Sequence, residues 1–174
     1  LLESLRPDFA VLGESTSNQI ARGHRGRVEV MLTVKGRSVH ASAPERGVNP
    51  HYVVARFLRQ LETLEPARDP VFGLSTVAPT VYEGDQKSTN VIPGECRLYL
   101  DWRNVPSETL AQILEKLQPL VERSLIPGSQ AALSIPDLTM ETYTGQEVSL
   151  PAVFPSFALP VDHELVVGAR QALE

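Results

Sequence analysis

Residues 27–36 read RVEVMLTVKG. On an extended chain Val28, Val30, Leu32 and Val34 fall on one side, and Arg27, Glu29, Thr33 and Lys35 on the other. That period of two belongs to a half-buried strand, and Gly36 stops it. Downstream, Asn49-Pro50 offers an N-cap and a first-turn proline, and Val53, Val54, Phe57, Leu58, Leu61 and Leu64 recur at helical spacing, which predicts a helix over 50–64. Strand patterns follow over 72–82 and 91–103. In the second of these Leu98, Leu100 and Trp102 face inward, while Arg97, Tyr99, Asp101 and Arg103 face away. Ser107 is predicted to open a second helix with Leu110, Ile113, Leu114, Leu117 and Val121 on one stripe; Pro119 predicts a kink or an earlier end. A short strand over 131–135 completes the span.

The order strand, helix, strand, strand, helix, strand is that of a split βαββαβ unit. The expected class is therefore α+β: a ferredoxin-like, four-stranded antiparallel sheet with both helices on one face. Placing the first and third strands in the centre puts Pro79 and Pro136 on the outer strands, where a missing backbone donor is tolerated. Outside this unit, Phe9 to Leu12 is predicted as a short buried strand ending at Gly13 and Glu14. Leu150 to Pro160, with three prolines, reads as a connector, and Asp162 as the cap of a last helix over 163–173. The expected division is 1–22, 23–142 and 143–174, with the first and last segments as edges of a neighbouring α/β domain.

Composition narrows the function classes. Of the 174 residues, 42% are hydrophobic and 21% charged, as in a folded globular protein, and no stretch reads as a membrane span or signal peptide. The formal charge of −5 and the scattered basic residues argue against nucleic-acid binding. The arginines between Arg22 and Arg27 read as carboxylate partners or a solvated face. Cys96 is alone, so a disulfide framework and a cysteine zinc site are both excluded; a small buried thiol in a reducing cytoplasm is the expectation.

Four residues are candidates for chemistry, each with an ordinary explanation beside it. Glu14 follows a glycine at a strand end, where a carboxylate either ligates a metal or is simply solvated. His40, in SVHASAP, lies in a loop and is either catalytic or a surface residue. Asn90 in TNVIPGE serves as a turn residue or a substrate contact. Arg103 ends a strand on its polar face, where a surface ion pair is the simple reading. No GxSxG, Walker, GxGxxG or HExxH pattern occurs. None of His24, His40, His51 and His163 is followed two places on by Asp, and no Glu-Glu pair exists. A two-metal hydrolytic centre needs about five His, Asp or Glu ligands and a base, and this chain does not contain them.

Taken in order, LGES at 12–15, RGHRGRVEVMLTVKG at 22–36, HASAPERGVNP at 40–50, STNVIPGECRLYLDWR at 88–103 and PSETL at 106–110 resemble the aminoacylase, acetylornithine deacetylase and succinyl-diaminopimelate desuccinylase family of di-zinc metallopeptidases. The resemblance covers most of 8–126. It implies a lid and dimerisation domain cut from a two-zinc catalytic domain, Zn2+ as the cofactor of the parent, a homodimer, and a small amide or peptide as substrate. By motif position Glu14 resembles a zinc ligand, although Ser15 stands where Pro is frequent. His40 corresponds to a histidine that reaches across the dimer to the scissile carbonyl oxygen, where zinc-bound water attacks. Asn90 matches a substrate contact near the same oxygen, and Arg103 a guanidinium for the substrate carboxylate. The expected function is thus the lid of a zinc-dependent, cytoplasmic amidohydrolase, inactive by itself. The alternative is a stand-alone βαββαβ interaction or small-molecule-sensing module.

Overall fold

The computed structural model describes residues 6, 8–17 and 19–173. Its centre is an antiparallel sheet of β1 (Arg27–Lys35), β2 (Thr76–Gly84), β3 (Glu95–Arg103) and β4 (Gln130–Ser134), with α1 (Pro50–Leu61) and α2 (Leu110–Ser124) as crossovers. The lateral order is β2, β3, β1, β4, so the first and third strands are central, as the alternation predicts. Buried side chains stand opposite one another across β1 and β3: Val28 with Trp102, Val30 with Leu100, Leu32 with Leu98 and Val34 with Cys96. Val53, Phe57, Ile113 and Leu117, the inner stripes of α1 and α2, close over that face. A side chain of this size taken fully out of water contributes about 1.5–3 kcal/mol, so this layer holds the fold together. The fold is the α+β split βαββαβ arrangement.

Several boundaries differ from the sequence expectation, for local reasons. Helix α1 ends at Leu61, and Leu64 packs against the core from the following turn. Strand β2 starts only at Thr76, because residues 68–74 form a small hairpin. Its turn is set by Asp69 Oδ1, which accepts from Val71 N at 2.8 Å and Phe72 N at 2.9 Å, and by Gly73 at φ +75°. The 91–103 stretch is broken at Pro93 and Gly94: Val91–Ile92 pairs with Val39–His40, and Glu95 begins β3. Thr109, not Ser107, caps α2, exchanging hydrogen bonds with Gln112 in a capping box. The helix then runs through Pro119 to Ser124. Pro119 lies on the exposed side, where water can serve the carbonyl left unpaired, while Leu117, Leu120 and Val121 remain anchored in the core.

Pro79 does lie on an outer strand, at a register shift between Pro79 and Val81. Pro136 instead sits past the end of β4, at a corner where its carbonyl accepts from Ala152 N at 2.9 Å. From that corner β5 (Asp137–Glu141) and β6 (Glu147–Pro151) form a two-stranded ribbon, turning at Gly145 with φ +78°. Then β7 (Val153–Phe154) pairs with Arg27 and Val28, on the same edge of β1 that β4 occupies over 31–35. The connector expected over 150–160 is therefore partly strand. Its continuation, Phe157–Ala158, pairs with Gly23–His24. The two chains run so close there that a Cβ on Gly23 would lie 2.2 Å from Phe157 O. Arg22 completes this neck: its guanidinium donates to Leu159 O, and its carbonyl accepts from Leu159 N at 2.7 Å.

Helix α3 (Glu164–Gln171) is capped by His163, whose Nδ1 accepts from Leu165 N at 3.2 Å, one residue later than the expected Asp162. The strand predicted over Phe9–Leu12 is not formed. A short apolar run becomes strand only beside a pairing neighbour, and the described residues provide none; Val11 is 83% and Leu12 86% exposed.

Candidate functional site

The loop after β1 folds back on itself. Gly36 N donates to Gly94 O at 2.7 Å, and Arg37 and Val48 exchange backbone hydrogen bonds across the base of the loop. Gly36 is required there, since a Cβ would lie 2.0 Å from Val48 O. The pairing of β1 with β3 thus continues past both glycines as a narrow ribbon, Val39–His40 against Val91–Ile92. At its tip Ala41 N donates to Asn90 O at 2.8 Å. His40 and Asn90, fifty residues apart in sequence, are therefore brought to adjacent positions, and both are exposed.

Their side chains are tied locally. His40 Nδ1 lies 2.7 Å from Ser42 Oγ and accepts from Ser42 N at 3.2 Å. The Ser88 hydroxyl donates to Asn90 Oδ1 at 2.5 Å. Neither serine was singled out in the sequence; an H-x-S spacing just past a strand is the signal that would have found the first.

Arg103 is not part of this grouping. It ends β3 at the opposite end of the sheet, eight residues from Glu95, or roughly 27 Å at strand rise. There Asp101 accepts from Arg103 Nε at 2.6 Å, Arg103 Nη2 at 3.2 Å and Arg27 Nε at 2.7 Å, and Arg27 also pairs with Glu29. Burial pushes the Asp101 carboxyl up, but the hydrogen bonds and charges of the two arginines outweigh it, so its pKa is lowered. The hydrogen bond to Asp101 likewise raises Arg27. Arg103 is about half exposed and uses only two of its nitrogens on Asp101, so it can still meet a second carboxylate.

Glu14 lies in exposed coil, with Oε1 accepting from Ser15 N at 3.0 Å. Among the described residues no hydrogen bond or ion pair joins it to His40, Asn90 or Arg103. Nor do any three His, Cys, Asp or Glu side chains there stand close enough to share a metal ion. A zinc centre takes about four such ligands, so the donors described here do not by themselves fit one.

Two other polar clusters were not anticipated. Cys96 is fully buried, as expected, but its Sγ lies 3.6 Å from His51 Nδ1, and the same nitrogen shares a hydrogen bond with the Tyr82 hydroxyl. Burial raises both the thiol and the phenol. Glu108, only 3% exposed, accepts from Trp102 Nε1 at 2.9 Å and from Lys116 Nζ at 2.5 Å. It ties the end of β3 to α2.

Comparison with known proteins agrees with this architecture. Residues 22–129 match the peptidase dimerisation domain of the M20 peptidases, and the chain belongs to that family. It is 28% identical over 172 residues to the protein YgeY of Escherichia coli (strain K12), covering 98% of this chain and 42% of that protein. It is 33% identical over 173 residues to the acetylornithine deacetylase of Yersinia pestis, covering 93% and 40%. The crystal structure of a tripeptidase from Staphylococcus aureus superimposes with a TM-score of 0.59 at 16% identity, over 87% of this chain and 35% of that one, a likeness of fold. The chain thus spans about two fifths of the length of the curated relatives it matches. Among the described residues no helix is long and apolar enough to cross a membrane.

Proposed function

We propose that this chain is the lid and dimerisation part of a cytoplasmic, zinc-dependent amidohydrolase or peptidase that cleaves N-acyl amino acids or small peptides, and that it does not hydrolyse them alone. The observation that carries the reading is the ribbon beyond Gly36 and Gly94, which holds His40 and Asn90 side by side and exposed at one end of the sheet. A hydrogen-bond donor from either residue suits a carbonyl oxygen that gains negative charge during attack on an amide. Arg103, with donors to spare, suits a substrate carboxylate. Because Arg103 and His40 lie at opposite ends of the sheet, the reading has one substrate meet them from different copies of a homodimer. The outer strand β2 and the adjoining α1 support such pairing: Tyr52 is 63%, Val81 47% and Tyr82 46% exposed along that edge.

The two zinc ions of this reading would supply the activated water, held mainly by residues other than those described here, with Glu14 as one carboxylate ligand. Residues 1–22 and the part of 143–174 beyond the neck are then edges of the catalytic domain, because 147–154 pairs within the lid instead. Exposed Phe9, Val11 and Leu12 at one end, with Phe157, Val161 and Leu173 at the other, support a neighbouring surface. The test is His40→Ala in the parent enzyme. Loss of an oxyanion donor lowers kcat on the order of a hundredfold or more, and unchanged kcat would remove His40 from the reaction.

A further inference from the structure

We propose that Ser42 is a positioning residue that fixes which nitrogen of the His40 imidazole carries the proton, and so the direction in which that ring can donate. A neutral imidazole has one N–H and one bare lone pair, and its neighbours decide which nitrogen is which. His40 Nδ1 lies 3.2 Å from Ser42 N and 2.7 Å from Ser42 Oγ. A backbone amide can only donate, so Nδ1 is the acceptor in that contact. The hydroxyl can play either part and therefore donates as well. The proton of the neutral ring is left on Nε2, which makes no hydrogen bond to any described residue on this exposed side chain.

Local sequence explains how the serine comes to sit over the ring. Ala43 N donates to His40 O at 3.0 Å, closing a turn that carries residue 42 back toward the side chain. Pro44 then starts the 3-10 turn Pro44–Arg46 and sets the direction in which the chain leaves. Two donors converge on Nδ1 through nothing more than an H-A-S-A-P segment.

The consequence for the reaction rests on the reading of His40 given above. An oxygen gaining negative charge needs an N–H in front of it. The other tautomer would spend its proton on Ser42 and turn a lone pair toward that oxygen. Ser42 acts through His40 and need not touch substrate.

The proton position is directly readable on the 174-residue chain by long-range 1H–15N correlation spectra of the imidazole rings, at alkaline pH where histidine is neutral, with His40→Ala assigning the signals. The Nε2–H form is expected to predominate. Ser42→Ala keeps the amide donor and loses only the hydroxyl, which can face either tautomer, so the Nε2–H form should still predominate in it. Ser42→Pro removes the amide donor and should lower the ratio of Nε2–H to Nδ1–H about three- to tenfold, the effect of one hydrogen bond of ordinary net strength. A predominant Nδ1–H form in the unaltered chain or in Ser42→Ala, or a ratio unmoved by Ser42→Pro, overturns the assignment. These spectra do not depend on catalysis, whereas His40→Ala in the parent enzyme tests only the catalytic reading, so the two failures are separable.

Discussion

Between residues 27 and 134 the apolar stripes of β1, β3, α1 and α2 close on one another, whereas several large apolar side chains of the flanking segments meet nothing among the described residues. Val30, Leu32, Leu100, Phe57 and Ile113 are all fully buried; Val11, Leu12, Val161 and Leu173 are between 64% and 86% exposed. Side chains of the same chemistry thus meet opposite fates in one molecule. A hydrophobic pattern states what a segment needs, and only the presence of a partner surface decides whether the need is met.

That contrast can be broken or sharpened by substitution. Leu100 sits at the centre of the β1–β3 face, so Leu100→Ala should cost about 2–5 kcal/mol in urea unfolding; a cost below about 1 kcal/mol would mean the core lies elsewhere. Glu108→Ala strips Trp102 Nε1 of its acceptor and Lys116 of its partner. Lys116 is about one third exposed and keeps part of its hydration, so the expected cost is about 1–3 kcal/mol, below that of a fully buried pair. A Glu108→Ala chain as stable as the unaltered one would relegate this cluster to decoration. Leu12→Ser, in the flank, should shift stability by no more than about 0.5 kcal/mol, and a loss above about 1 kcal/mol would reveal packing there in solution.

The same contrast governs how much could be read from the sequence. The strand order and the central place of β1 and β3 follow from alternation at Val28 to Val34 and Leu98 to Trp102, because their partners lie within the stretch being read. The break at Pro93-Gly94 and the late start of β2 escaped, since each depends on a particular hydrogen bond, the long-range Gly36 N to Gly94 O or the local one from Asp69 to its turn, that no periodicity encodes. Glu108 escaped because a buried carboxylate looks like a solvated one until Trp102 and Lys116 are seen beside it. At the candidate site, the adjacency of His40 and Asn90 came from motif resemblance, not from the pattern of apolar residues. The strand expected over Phe9–Leu12 is the reverse case, an apolar run with no pairing neighbour among the described residues.

The neck formed by Gly23–His24 and Phe157–Ala158 has a further consequence. Strands paired in this way run about 5 Å apart, so the polypeptide crosses into the body and back out through a doorway one strand-spacing wide. On the proposed reading, everything from 25 to 156 is therefore a cassette whose two ends leave side by side, so its length does not set the separation the flanking segments must span. A two-residue bridge from one side of the doorway to the other would close it into a ring, with new ends cut at the tip of the β5–β6 ribbon.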